Sequence, residues 1–156
     1  MEIKLATYFN RKIAEPVLSY LQQGMSPSKL AMTVAFGFIW GIFPVIGTNT
    51  LICIATAFVF KLNQAAIQIV NYAVYPLQLV LMLPLIKLGF WITGSDSTAY
   101  ALEGIWEELQ EDRWAAFETL GEVIWMGIVG WAVFASVMFF IVRFVMEQIF
   151  KRLSPG

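Results

Sequence analysis

The residues that could bind a ligand are polar side chains inside long apolar runs, together with a proline and a glycine that would break a helix beside them. We predict a substrate-binding site built from these residues: Pro44, Gly47, Thr48, Asn49, Thr50, Asn63, Asn71 and Gln78. A polar side chain at membrane depth is costly unless it faces protein or water, so together they indicate an interior polar surface. Taken singly, each amide is better explained by interhelical hydrogen bonding, which contributes only about 0.6 kcal/mol on average, and it is their joint density that favours a cavity.

The composition excludes several kinds of chemistry. The chain has no histidine, which removes a histidine general base and the Ser-His-Asp and Cys-His systems. Its single cysteine, Cys53, cannot form an internal disulfide or a thiolate metal site. We therefore expect no enzyme activity, no catalytic residue, no metal and no cofactor. A net charge of −1 gives no basis for binding nucleic acid.

The overall composition is that of a membrane protein. Of the 156 residues, 59% are hydrophobic and 13% are charged, whereas soluble domains have about 25% charged residues. Residues 123–142 carry no charge, and a membrane helix needs roughly 20 such residues. We predict an all-α integral membrane protein that forms a single membrane domain over residues 1–156.

The elements that would position the polar residues can be predicted from breaks in the apolar runs. Residues 30–60 carry no charge. This segment is too long for one membrane span and too short for two. Pro44 and Gly47 would break a helix there, and the side chains of residues 48–50 can bond freed backbone groups. We predict a re-entrant hairpin that turns at residues 44–50, the alternative being one kinked, tilted helix. Gly37 and Gly41 have the spacing of a helix-packing motif.

Several motifs in this region resemble those of a known family. They are Ser26-Pro27, the segment 35–50, Lys61-Leu62-Asn63, Tyr75-Pro76-Leu77-Gln78 and Lys87-Leu88-Gly89. Together they resemble the bacterial membrane domain-of-unknown-function family numbered two thousand and sixty-two. The family has Asn and Thr where this chain has Tyr75 and Gln78, and Asn71 lies one helical turn before Tyr75. The resemblance implies a membrane architecture and brings no activity with it.

The remaining segments are predicted from amphipathic patterns and charge. We divide the chain into an amphipathic N-terminal helix (1–25), a core with broken helices (26–95), an acidic amphipathic helix (96–122) and a C-terminal transmembrane helix (123–153). The N-terminal helix would lie in the membrane interface or pack on the rest of the protein. Ser26 is a good N-cap for the first core helix, and Pro27 fits its first position. A second interruption is expected near Pro76, which lies in an apolar run like Pro44.

These predictions favour a small multi-pass transporter or lipid-handling protein. Its expected partners are membrane lipids and further copies of the same chain. The alternative is a structural or accessory membrane protein whose polar residues only pack helices or dock a partner. Basic residues flank the first and last apolar runs, which predicts a bacterial inner-membrane location with both termini cytoplasmic and residues 96–113 outside.

Overall fold

The computed structural model describes residues 25–94 and 113–153. Within these residues the chain is helical and has no strand, and its four helices are α1 (Pro27–Gly41), α2 (Asn49–Phe60), α3 (Gln64–Thr93) and α4 (Arg113–Leu153). The predicted N-terminal amphipathic helix and most of the predicted acidic helix lie outside the described residues. The helical fold class is therefore confirmed for the part of the chain that the structure describes.

Helix α1 begins as the sequence predicts. The Ser26 side chain accepts a hydrogen bond from the Lys29 backbone N–H at 3.3 Å, and Pro27 occupies the first turn. The hydroxyl satisfies an N–H that has no partner within the helix, and proline has no N–H to satisfy. The N-cap prediction is confirmed.

Helices α1 and α2 are separate and lie side by side. The segment 42–48 between them is not helical. The end of α1 meets the start of α2, where Asn49 bonds the Gly41 carbonyl. At the other end of α2, the Phe60 ring stacks on Phe36 of α1, with 5.0 Å between centroids. These two contacts show that α2 runs back along α1.

Helix α3 passes through two prolines without interruption. Pro76 and Pro84 both lie inside the single helix Gln64–Thr93, so the predicted second interruption near Pro76 was wrong. One proline removes one backbone hydrogen bond. A non-helical segment in apolar surroundings would free several backbone groups at once, and the cost of those groups favours continuing the helix.

Helix α4 is longer than predicted. It begins at Arg113 and continues to Leu153, so the end of the segment assigned to the acidic helix belongs to the same helix as the C-terminal span. At 1.5 Å per residue, its 41 residues measure about 60 Å. Phe150 near its end packs with Leu30 and Ala31 of α1. The start of α1 and the end of α4 therefore lie at the same end of the molecule.

Two of the described helices are long and apolar enough to cross a membrane. They are Gln64–Thr93 and the Ala116–Leu153 part of α4, while α2 is apolar but shorter. In the most apolar 18-residue stretch of each helix, only 22% and 11% of the residues are buried inside the protein. Large side chains such as Val80, Phe140 and Phe144 are exposed. A core helix of a soluble protein would be mostly buried, whereas these two helices expose most of their apolar side chains.

Candidate functional site

The non-helical segment between α1 and α2, residues 42–48, frees backbone carbonyls that side chains from other helices satisfy. We call this segment the break. The Asn49 amide donates to the Gly41 carbonyl at 3.3 Å. The Gln78 amide of α3 donates to the Phe43 carbonyl at 2.6 Å. Both amides replace hydrogen bonds that the backbone loses where α1 ends.

A third carbonyl at the end of α1 is satisfied by α4. The Trp131 indole N–H donates to the Ile39 carbonyl at 2.9 Å, across 92 residues of sequence. The same indole stacks on Trp40 and meets Phe43 edge-on, with centroids 5.1 and 4.8 Å apart. Trp131 thus holds the end of α1 against α4. Its position inside an apolar run was the only sequence signal of this role.

The amides that hold the break each keep one oxygen without a partner. Asn49 Oδ1 and Gln78 Oε1 are buried and make no hydrogen bond to any residue that the structure describes. The two residues are only 7% and 1% exposed. The indole N–H of Trp40 is likewise buried without a partner. A buried polar atom without a hydrogen bond costs free energy. At the break, two oxygens can therefore still accept a hydrogen bond and one N–H can still donate one.

A small cavity lies beside the break. Its volume is about 220 Å³, and it is lined by Ile46, Gly47, Asn49, Thr50, Asn71, Tyr72 and Tyr75. Four predicted site residues are thus brought together: Gly47, Asn49, Thr50 and Asn71. Tyr75 lines the same cavity as Asn71. The two tyrosines were missed because aromatic residues in an apolar run give no sign of facing a cavity.

Hydrogen bonds join the two sides of this cavity. The Asn71 amide donates to Gln68 Oε1 at 3.1 Å, and the Gln68 amide donates to the Thr50 carbonyl at 3.1 Å. The Thr50 and Tyr72 hydroxyls lie 3.3 Å apart. These bonds tie the first turn of α2 to α3, so part of the polar surface is already used for packing.

The other predicted site residues do not line this cavity. Pro44 lies against α4, where a Cβ at Gly127 would be 3.4 Å from the Pro44 Cβ. The Thr48 hydroxyl donates to the Val45 carbonyl at 2.9 Å within the turn. Asn63 is the N-cap of α3, and its side chain accepts from the Ala66 N–H at 3.0 Å. The Gln78 side chain reaches the break through its bond to Phe43.

Glycines bring the helices into close contact. A Cβ at Gly37 would lie 2.8 Å from Val70 Cβ, and a Cβ at Gly41 would lie 3.1 Å from the Asn71 carbonyl oxygen. The predicted packing glycines therefore lie against α3.

A tighter crossing was missed by the sequence interpretation. A Cβ at Gly89 would overlap the Met126 carbonyl, and one at Gly130 would overlap the Leu85 carbonyl. The backbones of α3 and α4 are close enough here that neither glycine leaves room for a side chain. The paired glycines 127 and 130 in an apolar run were the available signal.

The polar side chains at this site can form hydrogen bonds. Among the described residues, no group of three or more His, Cys, Asp or Glu could hold a metal ion. The groups around the cavity are amides, hydroxyls and phenols. Such groups form hydrogen bonds to a polar ligand without being consumed.

Comparison with known proteins gives a family but no characterised relative. The family model for DUF2062, an uncharacterized protein conserved in bacteria, matches residues 10–154. No curated protein and no solved structure matches the chain. Because the match covers nearly the whole chain, the protein belongs to the DUF2062 family, as the motifs at residues 26–89 indicated.

Proposed function

We propose that this member of the DUF2062 family is an integral membrane protein that binds a polar group at the break, in transport or lipid handling. The single observation that carries the proposal is the pair of buried, unpaired oxygens of Asn49 and Gln78 at the break, where Asn49 also lines the neighbouring cavity. The proposed role is one of binding and includes no chemical step.

The exposed surface supports a membrane location. The large apolar side chains on α3 and α4 face outward, and lipid is the environment in which such faces are stable. Helices α1 and α2 have 15 and 12 residues, or about 22 and 18 Å. Neither length reaches the roughly 30 Å of a hydrocarbon core. In a bilayer the two helices therefore form a re-entrant hairpin with the break inside the membrane.

The distribution of charge supports an orientation. Lys29, Lys151 and Arg152 belong to the end of the molecule where α1 begins and α4 finishes, while Glu118 and Glu122 lie near the start of α4. Basic residues favour the cytoplasmic side. We propose that the Lys29 end is cytoplasmic and that the described parts of the chain cross the inner membrane twice.

The chemistry of the unpaired atoms indicates what the site prefers. Asn49 and Gln78 use their N–H groups on backbone carbonyls, so the atoms left over are acceptor oxygens. A ligand that donates hydrogen bonds, such as a hydroxyl or an ammonium group, matches two acceptors. An anionic group brings only acceptors and could pair with the Trp40 N–H alone, so a hydrogen-bond donor fits the two oxygens better.

A structural or accessory role is the second candidate function, and a specific observation favours it. The amides of Asn49, Gln68, Asn71 and Gln78 all donate hydrogen bonds within the protein. Amides used in this way hold helices together whether or not a ligand binds. The two candidates differ in whether water and ligands reach the cavity.

Water access to the cavity is the test. In full-length protein in native membranes, Cys53 is first replaced by alanine so that no native thiol reacts. Thr50→Cys and Tyr72→Cys then place thiols at the cavity, and Leu51→Cys and Val80→Cys place thiols on the outer apolar surface. A small, water-soluble maleimide is the probe, and protein level is measured for each variant.

We expect the cavity thiols to react at least tenfold faster than the surface thiols, although Leu51 and Val80 are 68% and 69% exposed in the protein. That result requires a wet cavity inside a lipid-covered protein. Unreactive thiols at residues 50 and 72 would favour the structural role. Fast reaction at residues 51 and 80 would contradict the membrane location.

A further inference from the structure

A second cavity, separate from the break, lies at the far end of α2. Its volume is about 800 Å³, and it is an open groove lined by Ile54, Ala57, Phe58, Val59, Lys61, Leu62 and Gln64. The volume falls in the range of about 300–1,000 Å³ that is common for ligand sites. Its walls are apolar except at one end, where Lys61 and Gln64 lie. We call it the Lys61 groove.

Lys61 occupies a backbone conformation that glycine usually takes. It ends α2 with φ 51° and ψ 49°, and it is the only described non-glycine residue with a positive φ. Its N–H bonds the Phe58 carbonyl, and the Leu62 N–H bonds the Ala57 carbonyl. A helix end of this form favours glycine because a Cβ is strained there. Lysine at this position therefore strains the backbone and lowers stability relative to glycine.

The charge of Lys61 is isolated among the residues that the structure describes. It is the only charged residue between Lys29 and Lys87 in the sequence. The ion pair found among the described residues is Lys151–Glu147, so no described carboxylate neutralises Lys61. The lysine is exposed at the polar end of an apolar groove. An amphiphile with one negative charge is complementary to this arrangement, because its chain and its head group meet matching surfaces.

We propose that the Lys61 groove binds an anionic phospholipid. The Lys61 ammonium pairs with the phosphate, the Gln64 amide donates to a neighbouring lipid oxygen, and an acyl chain lies against Ile54 and Phe58. In the re-entrant hairpin, Lys61 is at the end opposite the break, which places it at the level of the head groups. The inference uses the membrane location proposed above and is independent of ligand binding at the break.

Lipid affinity of the purified, full-length protein tests the proposal. Fluorescent phosphatidylglycerol and phosphatidylcholine, which differ in net charge, are titrated in neutral detergent. Lys61→Gln removes the charge, and Ile54→Trp fills the groove. Lys87→Gln is the matched control, since it removes an exposed lysine that does not line the groove. Retention of helical content is checked for each variant.

We expect Lys61→Gln to weaken phosphatidylglycerol binding about fivefold, equivalent to about 1 kcal/mol, and to weaken phosphatidylcholine binding less, because the choline cation offsets the charge of its phosphate. Ile54→Trp should weaken binding of both lipids, and Lys87→Gln should have no effect. Equal effects of Lys61→Gln and Lys87→Gln would overturn the proposal, as would equal affinity of the unchanged protein for the two lipids.

Lys61→Gly separates binding from backbone strain. Glycine relieves the strain of the positive φ, so we expect the thermal midpoint to rise by about 2–4 °C while phosphatidylglycerol affinity falls as in Lys61→Gln. If Lys61→Gly kept the affinity of the unchanged protein, Lys61 would not contact the lipid phosphate. Thiol reactivity at residue 50 does not depend on this groove, so a dry cavity at the break would leave the lipid proposal standing.

Discussion

The break and the α3–α4 crossing hold helices together by opposite means. At the break, amide and indole N–H groups bond freed carbonyls, and two oxygens and one N–H are left unpaired. At the crossing, Gly89 and Gly130 let two backbones meet, with Ile86, Phe90, Val123 and Met126 packed alongside. The crossing has no spare volume, whereas the break has spare hydrogen-bonding capacity. Sensitivity to added volume should therefore be greatest at the crossing, and sensitivity to lost polar groups greatest at the break.

The largest effect is expected at the crossing. Gly89→Ala or Gly130→Ala would place a Cβ on a backbone carbonyl, and backbone atoms cannot move aside as a side chain can. We expect a loss of about 3 kcal/mol or more, at the upper end of overpacking effects. Thermal unfolding of purified protein, followed by size-exclusion chromatography, measures it.

Gly121→Ala is the control on the same helix, because a Cβ there has nothing within 4 Å. It should be neutral or slightly stabilising, since alanine favours helix by about 1 kcal/mol over glycine. If Gly89→Ala were as stable as Gly121→Ala, the helices would not cross as closely as described.

An intermediate effect is expected where α1 meets α3. A Cβ at Gly37 would be 2.9 Å from the Ile67 carbonyl oxygen, whereas the nearest atom to a Cβ at Gly41 is 3.1 Å away. We expect Gly37→Ala to cost about 1–3 kcal/mol and Gly41→Ala to cost less. The same unfolding measurement ranks the two, and the reverse order would contradict the described packing of α1 on α3.

A similar loss of stability is expected at the break, but its cause there is a lost hydrogen bond and not added volume. Gln78→Met keeps a similar volume but leaves the Phe43 carbonyl without its donor. We expect a loss of about 1–3 kcal/mol, the cost of an unsatisfied buried group. Leu79→Met, at a neighbouring exposed position, should change stability little. A neutral Gln78→Met would show that water or another group replaces the lost bond, and the break would then be less specific than described.

The smallest effect is expected outside both regions, at the start of α3. Asn63→Ala removes the N-cap acceptor and should cost about 1 kcal/mol, while Asn63→Asp should keep the stability because a carboxylate also accepts from the Ala66 N–H. Thermal midpoints of the two variants test this. If Asn63→Asp lost as much stability as Asn63→Ala, Asn63 would act through its amide N–H and not as a cap.

The positions of the helix ends and of the break followed from local sequence. Ser26 and Pro27 act on backbone groups within one turn, so the start of α1 was predictable from those two residues. The apolar run with Pro44 and Gly47 at its centre likewise indicated where α1 and α2 separate. The polar residues of that segment were correctly expected to bond freed backbone groups, as the Asn49 bond to Gly41 shows.

Asn63 and Pro76 show where local patterns were insufficient. Both lie in contexts that suit more than one structure: an amide can cap a helix or face a cavity, and a proline can end a helix or interrupt one hydrogen bond. The choice depends on the free energy of the surrounding chain. The Asn63 side chain reaches its own helix, and the helix continues through Pro76 because the alternative frees more backbone groups.

The sequence by itself determined the helical class, the family, the first helix cap and the location of the break, because each depends on composition or on residues a few positions apart. Tertiary structure alone decided which donor satisfies each freed carbonyl, which glycines meet a backbone and which oxygens remain unpaired. Trp131 and Ile39 are 92 residues apart, and Gln78 and Phe43 are 35 apart. Pairings at such separations depend on how whole helices pack. Which polar atoms of the break stay unpaired is in turn decided by those pairings.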